Sequence, residues 1–136
     1  ALDPAGPAPS FGLGAGLGEV TGDRRLLARA ICNVMRNAQK YAQGRVELGA
    51  HRTGDGSVAI IIDDDGPGIP SDERTKIFEP FYRLDRSRDR ATGGFGLGLS
   101  IAHKAVGLHG GGIAVGDSPL GGARFTITLP GRAAPA

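Results

Sequence analysis

Ile60-Ile61-Ile62-Asp63-Asp64-Asp65-Gly66-Pro67-Gly68-Ile69-Pro70 is the stretch that decides this chain. A β-branched apolar run of strand character ends in three acids, and the acids run into a Gly-Pro-Gly turn. Three adjacent like charges disfavour a purely structural role, so a strand delivering carboxylates to a glycine turn points to a site.

The segments on either side supply a fold. Upstream, Thr21-Gly22-Asp23 reads as a helix start with Asp23 as N-cap. From there to Ala42 the apolar residues Leu26, Leu27, Ala30, Ile31, Val34, Met35, Ala38 and Tyr41 form a helical stripe, and Gly44 reads as its stop. Asn33, Asn37 and Lys40 share a second, polar face at about 100° per residue. Asparagine is a poor mid-helix residue, so two of them one turn apart suggest a task. Arg45 to His51 alternates, with Val46, Leu48 and Ala50 predicted on one half-buried face. Thr53-Gly54-Asp55-Gly56 is a hairpin turn leading into the strand from Ser57 to Asp63.

Downstream, Ser71 is placed to cap a short helix bearing Asp72 and Glu73 in its first turn. Phe78, Phe81 and Tyr82 follow as an aromatic cluster. Residues 83–92 are charged and aperiodic, and a mobile loop is expected; charge alone reads there as a solvated surface. Gly93-Gly94-Phe95-Gly96-Leu97-Gly98 leads into a helix from Leu97 to His109, which Gly110-Gly111-Gly112 ends. A strand over Ile113–Asp117, a turn, and a strand over Ala123–Leu129 with Phe125, Ile127 and Leu129 on one face complete the pattern. The glycine–apolar alternation at 11–20 predicts a thin strand or two. The order is helix, hairpin, helix, lid, helix, hairpin, which fits an α+β two-layer sandwich: three main helices on one face of a mixed sheet.

Composition narrows the classes. The chain has 136 residues, which suggests one domain, expected over 11–130, with residues 1–10 a linker or edge and 131–136 a tail. A net charge of +2 gives no argument for a nucleic-acid partner. The single cysteine, Cys32, excludes an internal disulfide and fits a reducing compartment. No CxxC or His-x-x-x-His spacing supports zinc. No apolar run approaches the roughly 20 residues of a membrane span, so no membrane insertion by this stretch of chain is expected.

Four features then recur in series: a polar helix face, an acid-to-glycine turn, aromatics beside a basic loop, and a glycine loop opening a helix. A nucleoside triphosphate accounts for all four. Glycine loops at helix starts offer N–H groups to phosphate, and arginines give charge-assisted bonds to phosphate oxygens. An asparagine oxygen suits Mg²⁺, which keeps its waters and takes few protein ligands. A buried carboxylate can accept from adenine's exocyclic amine. No G-x-x-x-x-G-K-[ST] occurs, and no G-x-G-x-x-G register exists in 12–18, so P-loop and dinucleotide folds are excluded.

The motifs also resemble a family. Asn33-Val-Met-Arg-Asn37-Ala-Gln-Lys40-Tyr41 is similar to the N box of bacterial sensor histidine kinases, and Asp64-Asp65-Gly66-Pro67-Gly68-Ile69 to their first glycine box. Phe78-Glu79-Pro80-Phe81-Tyr82-Arg83 resembles the F box, and Gly94-Phe95-Gly96-Leu97-Gly98-Leu99 the second glycine box. All four stand in the family's order and spacing. The resemblance implies the catalytic ATP-binding domain of the GHKL (Bergerat) fold with a mobile ATP lid. It implies Mg²⁺ on Asn37, with Asn33 a second polar contact, Lys40 on a phosphate and Tyr41 against adenine. It implies Asp64 on the adenine amine, with Gly66, Gly68 and Ile69 shaping the base pocket. Arg83 and Arg88 would reach the phosphates, and Gly94, Gly96, Leu97, Gly98 and Leu99 would hold the triphosphate. Asp63 and Asp65 are expected to be solvent or turn acids.

Residues 83–90 look most like kinases that pair with winged-helix (OmpR-type) response regulators. The implied partners are a histidine-bearing dimerisation domain of the same kinase and a response regulator. The implied place is the cytoplasmic side of a parent protein in the bacterial inner membrane. The family's phosphoacceptor box has no counterpart here, and His51, His103 and His109 read as surface or packing residues. Two other readings are a GHKL-type ATPase and a non-catalytic nucleotide-binding module. The ATPase reading lacks a water-activating acid, since none falls between Asp23 and Glu47. Intact boxes argue against the other.

Overall fold

The structure is a computed structural model, and it describes residues 10–12, 19–82 and 97–132. The first helix, α1 (Arg24–Tyr41), begins where the sequence places it: Asp23 caps it by accepting from the Leu26 N–H at 3.1 Å. Its stripe buries Leu27, Ala30, Val34 and Ala38. The second helix, α2 (Gly98–Leu108), buries Ala102, Ala105 and Val106. Small residues on both facing stripes let the two helices lie side by side.

They cover one face of a four-stranded sheet made of β3 (Val46–Arg52), β4 (Val58–Asp64), β5 (Gly112–Asp117) and β6 (Ala123–Leu129), in the order β3-β4-β6-β5. The helix-side residues Val58, Ile60 and Ile62 of β4 and Phe125, Ile127 and Leu129 of β6 close the core. A small second sheet joins β1 (Ser10–Gly12), β2 (Glu19–Thr21) and β7 (Gly131–Arg132). The first two residues of the expected tail therefore pair with Glu19 and Val20.

The α+β two-layer fold is as expected, with four corrections in detail. Every pairing in both sheets is antiparallel, so the sheet is not mixed. Among the described residues there are two α-helices rather than three. The segment after the glycine turn forms two 3-10 turns, Ser71–Glu73 and Lys76–Phe78, and Pro70 rather than Ser71 stands at the cap position without a side-chain bond. The aromatic cluster does not form: Phe78 stacks on His103 at 5.0 Å and meets Phe125 edge-on, while Phe81 is 69% exposed with a φ of 66°. Contiguity in sequence misleads here because the chain turns at Phe81. Finally, Val46, Leu48 and Ala50 do share one face, but β3 is an edge strand beyond the helices, and Leu48 is 57% exposed.

Candidate nucleotide site

The period-two alternation of a strand separates the three acids. β4 runs one residue further than its sequence suggests, so Asp64 still belongs to it and lies on the helix side with Ile62 and Ile60. Asp63 takes the opposite face, and Asp65 lies past the strand end.

Asp64 is 3% exposed, and two backbone N–H groups hold its Oδ1: Gly66 at 2.9 Å and Ala123 at 3.1 Å. Among the described residues both of these bonds go to Oδ1 and none to Oδ2. Gly122 donates its N–H to the Asp64 carbonyl at 3.1 Å. A Cβ on Gly122 would stand 2.2 Å from Asp64 Oδ1 and 2.5 Å from the Gly66 nitrogen. Gly122 is thus a site residue that sequence reasoning missed, because a Gly-Gly pair before a strand reads as an ordinary turn. Gly68 has a φ of +77° and faces the Gly122 carbonyl, so the turn needs glycine there for conformation.

Asp63 corrects the expectation of a solvent or turn acid, whereas Asp65 is a turn acid as expected, with a defined set of partners. Asp63 is buried and receives a two-pronged bond from Arg124, with Nε to Oδ1 at 2.8 Å and Nη2 to Oδ2 at 3.0 Å. Asp65 Oδ1 accepts from the N–H groups of Gln43, Gly44 and Arg45 at 2.7, 3.1 and 3.1 Å. That capture ends α1, which stops at Tyr41 with Ala42 extended; Gly44 is not the stop by itself. The acid after the adenine candidate therefore ties the site turn to the helix that carries Asn33 and Asn37.

Both carboxyls sit below the ordinary aspartate range. For Asp63 the main cause is the Arg124 hydrogen bond, with burial opposing it; for Asp65 it is the Gly44 N–H, helped by those of Arg45 and Gln43. A lowered folded-state pKa contributes stability above the unfolded value, near 3.8, and loses it as pH falls through the folded value. Unfolding free energy should therefore hold steady from neutral pH to about 4–5 and fall steeply below. The double variant Asp63→Asn, Asp65→Asn should flatten that acid limb in denaturant titrations; an unchanged limb would contradict these assignments.

Several other sequence-predicted residues meet here. A Cβ on Gly66 would lie 2.4 Å from the Tyr41 carbonyl oxygen, so the glycine turn sits directly on the end of α1. The Lys40 Nζ stands over the Tyr41 ring at 5.2 Å. A Cβ on Gly98 would be 4.0 Å from the Asn33 Cβ, so the polar face of α1 meets the start of α2. Leu97 precedes that helix, and Leu99 is half-buried against the core. Asn37, one turn beyond Asn33, is half-buried on the same helix. The Ile69 side chain lies in the core, and its carbonyl accepts from Arg74 Nε at 2.9 Å. Arg83, Arg88, Gly94 and Gly96 lie outside the described residues.

The turn that holds the Asp64 carboxylate therefore sits on the end of α1, and the amide-bearing face of the same helix meets the start of α2. Residues 22–133 match the family model described as histidine kinase-, DNA gyrase B-, and HSP90-like ATPase. The chain belongs to this ATPase family.

Within the family it is similar to the sensor histidine kinase CpxA of Escherichia coli, at 42% identity over 127 residues, covering 93% of this chain and 25% of CpxA. The sensor protein RstB of Escherichia coli is 46% identical over 108 residues, 79% of this chain and 25% of RstB. The chain thus spans about a quarter of the length of these relatives. Among solved structures, the mycobacterial sensor histidine kinase MprB superposes with a TM-score of 0.74 at 38% identity, covering 85% of this chain and 77% of that one. Full-length ShkA in complex with AMPPNP gives a TM-score of 0.74 at 33% identity over 89% of this chain and 25% of ShkA. The part matched is the catalytic, ATP-binding domain of these histidine kinases. No helix among the described residues of this ATPase-family domain is long and apolar enough to cross a membrane.

Proposed function

We propose that the domain binds Mg²⁺–ATP and presents the γ-phosphoryl group to a histidine on a separate dimerisation domain of the same kinase. The observation that carries this reading is Asp64, whose Oδ1 is held by the Gly66 and Ala123 N–H groups while neither bond goes to Oδ2. Adenine's exocyclic amine would donate to Oδ2, with Gly66 and Gly68 shaping the turn beside the base and Tyr41 packing against it. The start of α2, with Leu97, Gly98 and Leu99, would offer N–H groups and a positive dipole end to the phosphates. Lys40 would add charge there, as would Arg83 and Arg88 from the lid, while Gly94 and Gly96 would bring backbone close.

No cluster of acids that could hold a metal occurs among the described residues. Asn37 would hold Mg²⁺ through its amide oxygen, a donor suited to a cation that takes few protein ligands. Bound there, Mg²⁺ would neutralise charge on the phosphate oxygens. The chain's own part is positioning: Asn33 and Asn37 on one face of α1, set against Gly98 by the helix pair. In transfer, an imidazole nitrogen of the acceptor forms the N–P bond as the β–γ bridging P–O bond breaks and ADP leaves. The imidazole proton goes to an acid beside the acceptor, outside this chain. Helix α1 carries no acid, so activation of water in its place has no base here.

Relay would follow to a response regulator, of the winged-helix type by the character of residues 83–90. The parent protein is read as an inner-membrane sensor with this domain on the cytoplasmic side. The test supplies a dimerisation domain in trans with γ-labelled ATP. Label should move to the acceptor histidine with Mg²⁺ present, and Asn37→Ala should remove the Mg²⁺ dependence of nucleotide affinity. An Asn37→Ala variant that responds to Mg²⁺ like the wild type would refute the metal role, and no label transfer at all would refute the kinase reading.

A further inference from the structure

His109 follows the last turn of α2, and its ring joins two parts of the chain that are 86 residues apart. Nδ1 lies 2.7 Å from the Ala105 carbonyl oxygen, and Nε2 lies 2.9 Å from the Asp23 backbone nitrogen. A carbonyl only accepts and a backbone N–H only donates, so both nitrogens are defined. Nδ1 carries the proton, and Nε2 presents a lone pair. The Ala105 carbonyl loses its usual helical partner because the His109 N–H turns back to Val106 at 3.1 Å. The ring therefore satisfies an orphan carbonyl at the end of α2 and an N–H just before α1.

The neighbouring backbone is shaped to admit it. Gly22 is buried, has a φ of +154°, and a Cβ there would lie 2.0 Å from the His109 Cδ2. Gly22 directly follows β2, the middle strand of the small sheet. At the start of α2, Gly98 meets Asn33 of α1, so the helices run antiparallel and the ring clamps the end of α2 remote from that approach. α2 has 11 residues. It is a rigid rod of about 16 Å, short enough to carry a displacement from one end to the other.

We propose that His109, in its neutral Nδ1-protonated form, is a positioning residue that latches α2 to the β2–α1 junction and thereby sets the start of α2 against Asn33. The consequence for nucleotide affinity rests on the function proposed above; the latch itself does not. Movement of the entry strand β2 is then felt at the start of α2.

The test uses the full chain, with His109→Phe keeping ring volume without nitrogen and His109→Gln restoring an acceptor. Nitrogen NMR of the wild-type ring should show Nδ1 protonated and Nε2 bare. The Asp23 amide should exchange at least about tenfold faster in His109→Phe. AMPPNP affinity, measured well below the melting point, should fall about three- to thirtyfold in His109→Phe and recover in large part in His109→Gln. A proton on Nε2, or an Asp23 amide equally fast in wild type and His109→Phe, overturns the latch. So does unchanged AMPPNP affinity in a His109→Phe protein that merely melts lower. Should the wild type bind no AMPPNP, the nucleotide reading fails, while the ring-nitrogen and exchange measurements still decide the latch.

Discussion

Replacing Gly122 by alanine will lower nucleotide affinity by tenfold or more and destabilise the domain by about 1–3 kcal/mol, the usual cost of forcing atoms into a filled space. The added methyl would stand 2.2 Å from Asp64 Oδ1 and 2.5 Å from both the Asp64 carbonyl oxygen and the Gly66 nitrogen. Two of these three neighbours are backbone, so a side-chain rotation cannot relieve the clash. The β5–β6 turn must withdraw, taking with it the Ala123 N–H that holds the carboxylate. Gly116→Ala is the control, since a Cβ there meets nothing within 4 Å. Thermal melts together with AMPPNP titration check both parts. A Gly122→Ala protein with wild-type affinity would show that Asp64 does not need this turn.

Asp64→Asn is the second large effect. The carboxylate is 3% exposed, and its Oδ1 is already occupied by two backbone donors. An amide placed with its oxygen toward those donors turns its NH₂ toward the ligand, where adenine's amine also donates. Two donors then face each other, and the buried bond is lost at about 1–3 kcal/mol, or roughly five- to 150-fold in affinity. The fold should survive, because the bonds to Gly66 and Ala123 need only an acceptor. Calorimetry with ATP, paired with a denaturation curve, separates the two outcomes; equal ATP affinity in both proteins would remove adenine from Asp64.

The helix carrying Asn33 and Asn37, the hairpin after it, and the last strand were legible because each has a clean periodicity and a recognisable end. The glycine turn after β4 was legible because an apolar β-branched run meets a Gly-Pro-Gly sequence. What the sequence hid was long-range partnership. The partner of Asp63 is Arg124, on a neighbouring strand 61 residues away. The task of Asp65 depends on three N–H groups at the end of α1, which no pattern in residues 63–65 announces. Gly122 reads as a turn residue until its distance from Asp64 is known. Leu48 alternates like a core residue, yet its edge strand lies beyond the helices. Phe78 and Phe81, read as one cluster, part company because only Phe78 reaches Phe125.

The three acids of the opening stretch therefore have three separate settings: Asp63 pairs with Arg124 on the far face of the sheet, Asp65 anchors the preceding helix, and Asp64, held by Gly66 and Ala123, is the one we propose reads a base. The central claim is that Asp64 reads adenine. Calorimetry of the wild-type chain with ATP and with GTP, at equal Mg²⁺, tests it most directly. Guanine presents a carbonyl oxygen where adenine presents its amine, so the carboxylate would face an acceptor. The account predicts ATP binding at least about tenfold tighter than GTP, as expected where a buried polar group would be left unpaired. Equal affinity for the two nucleotides would contradict it.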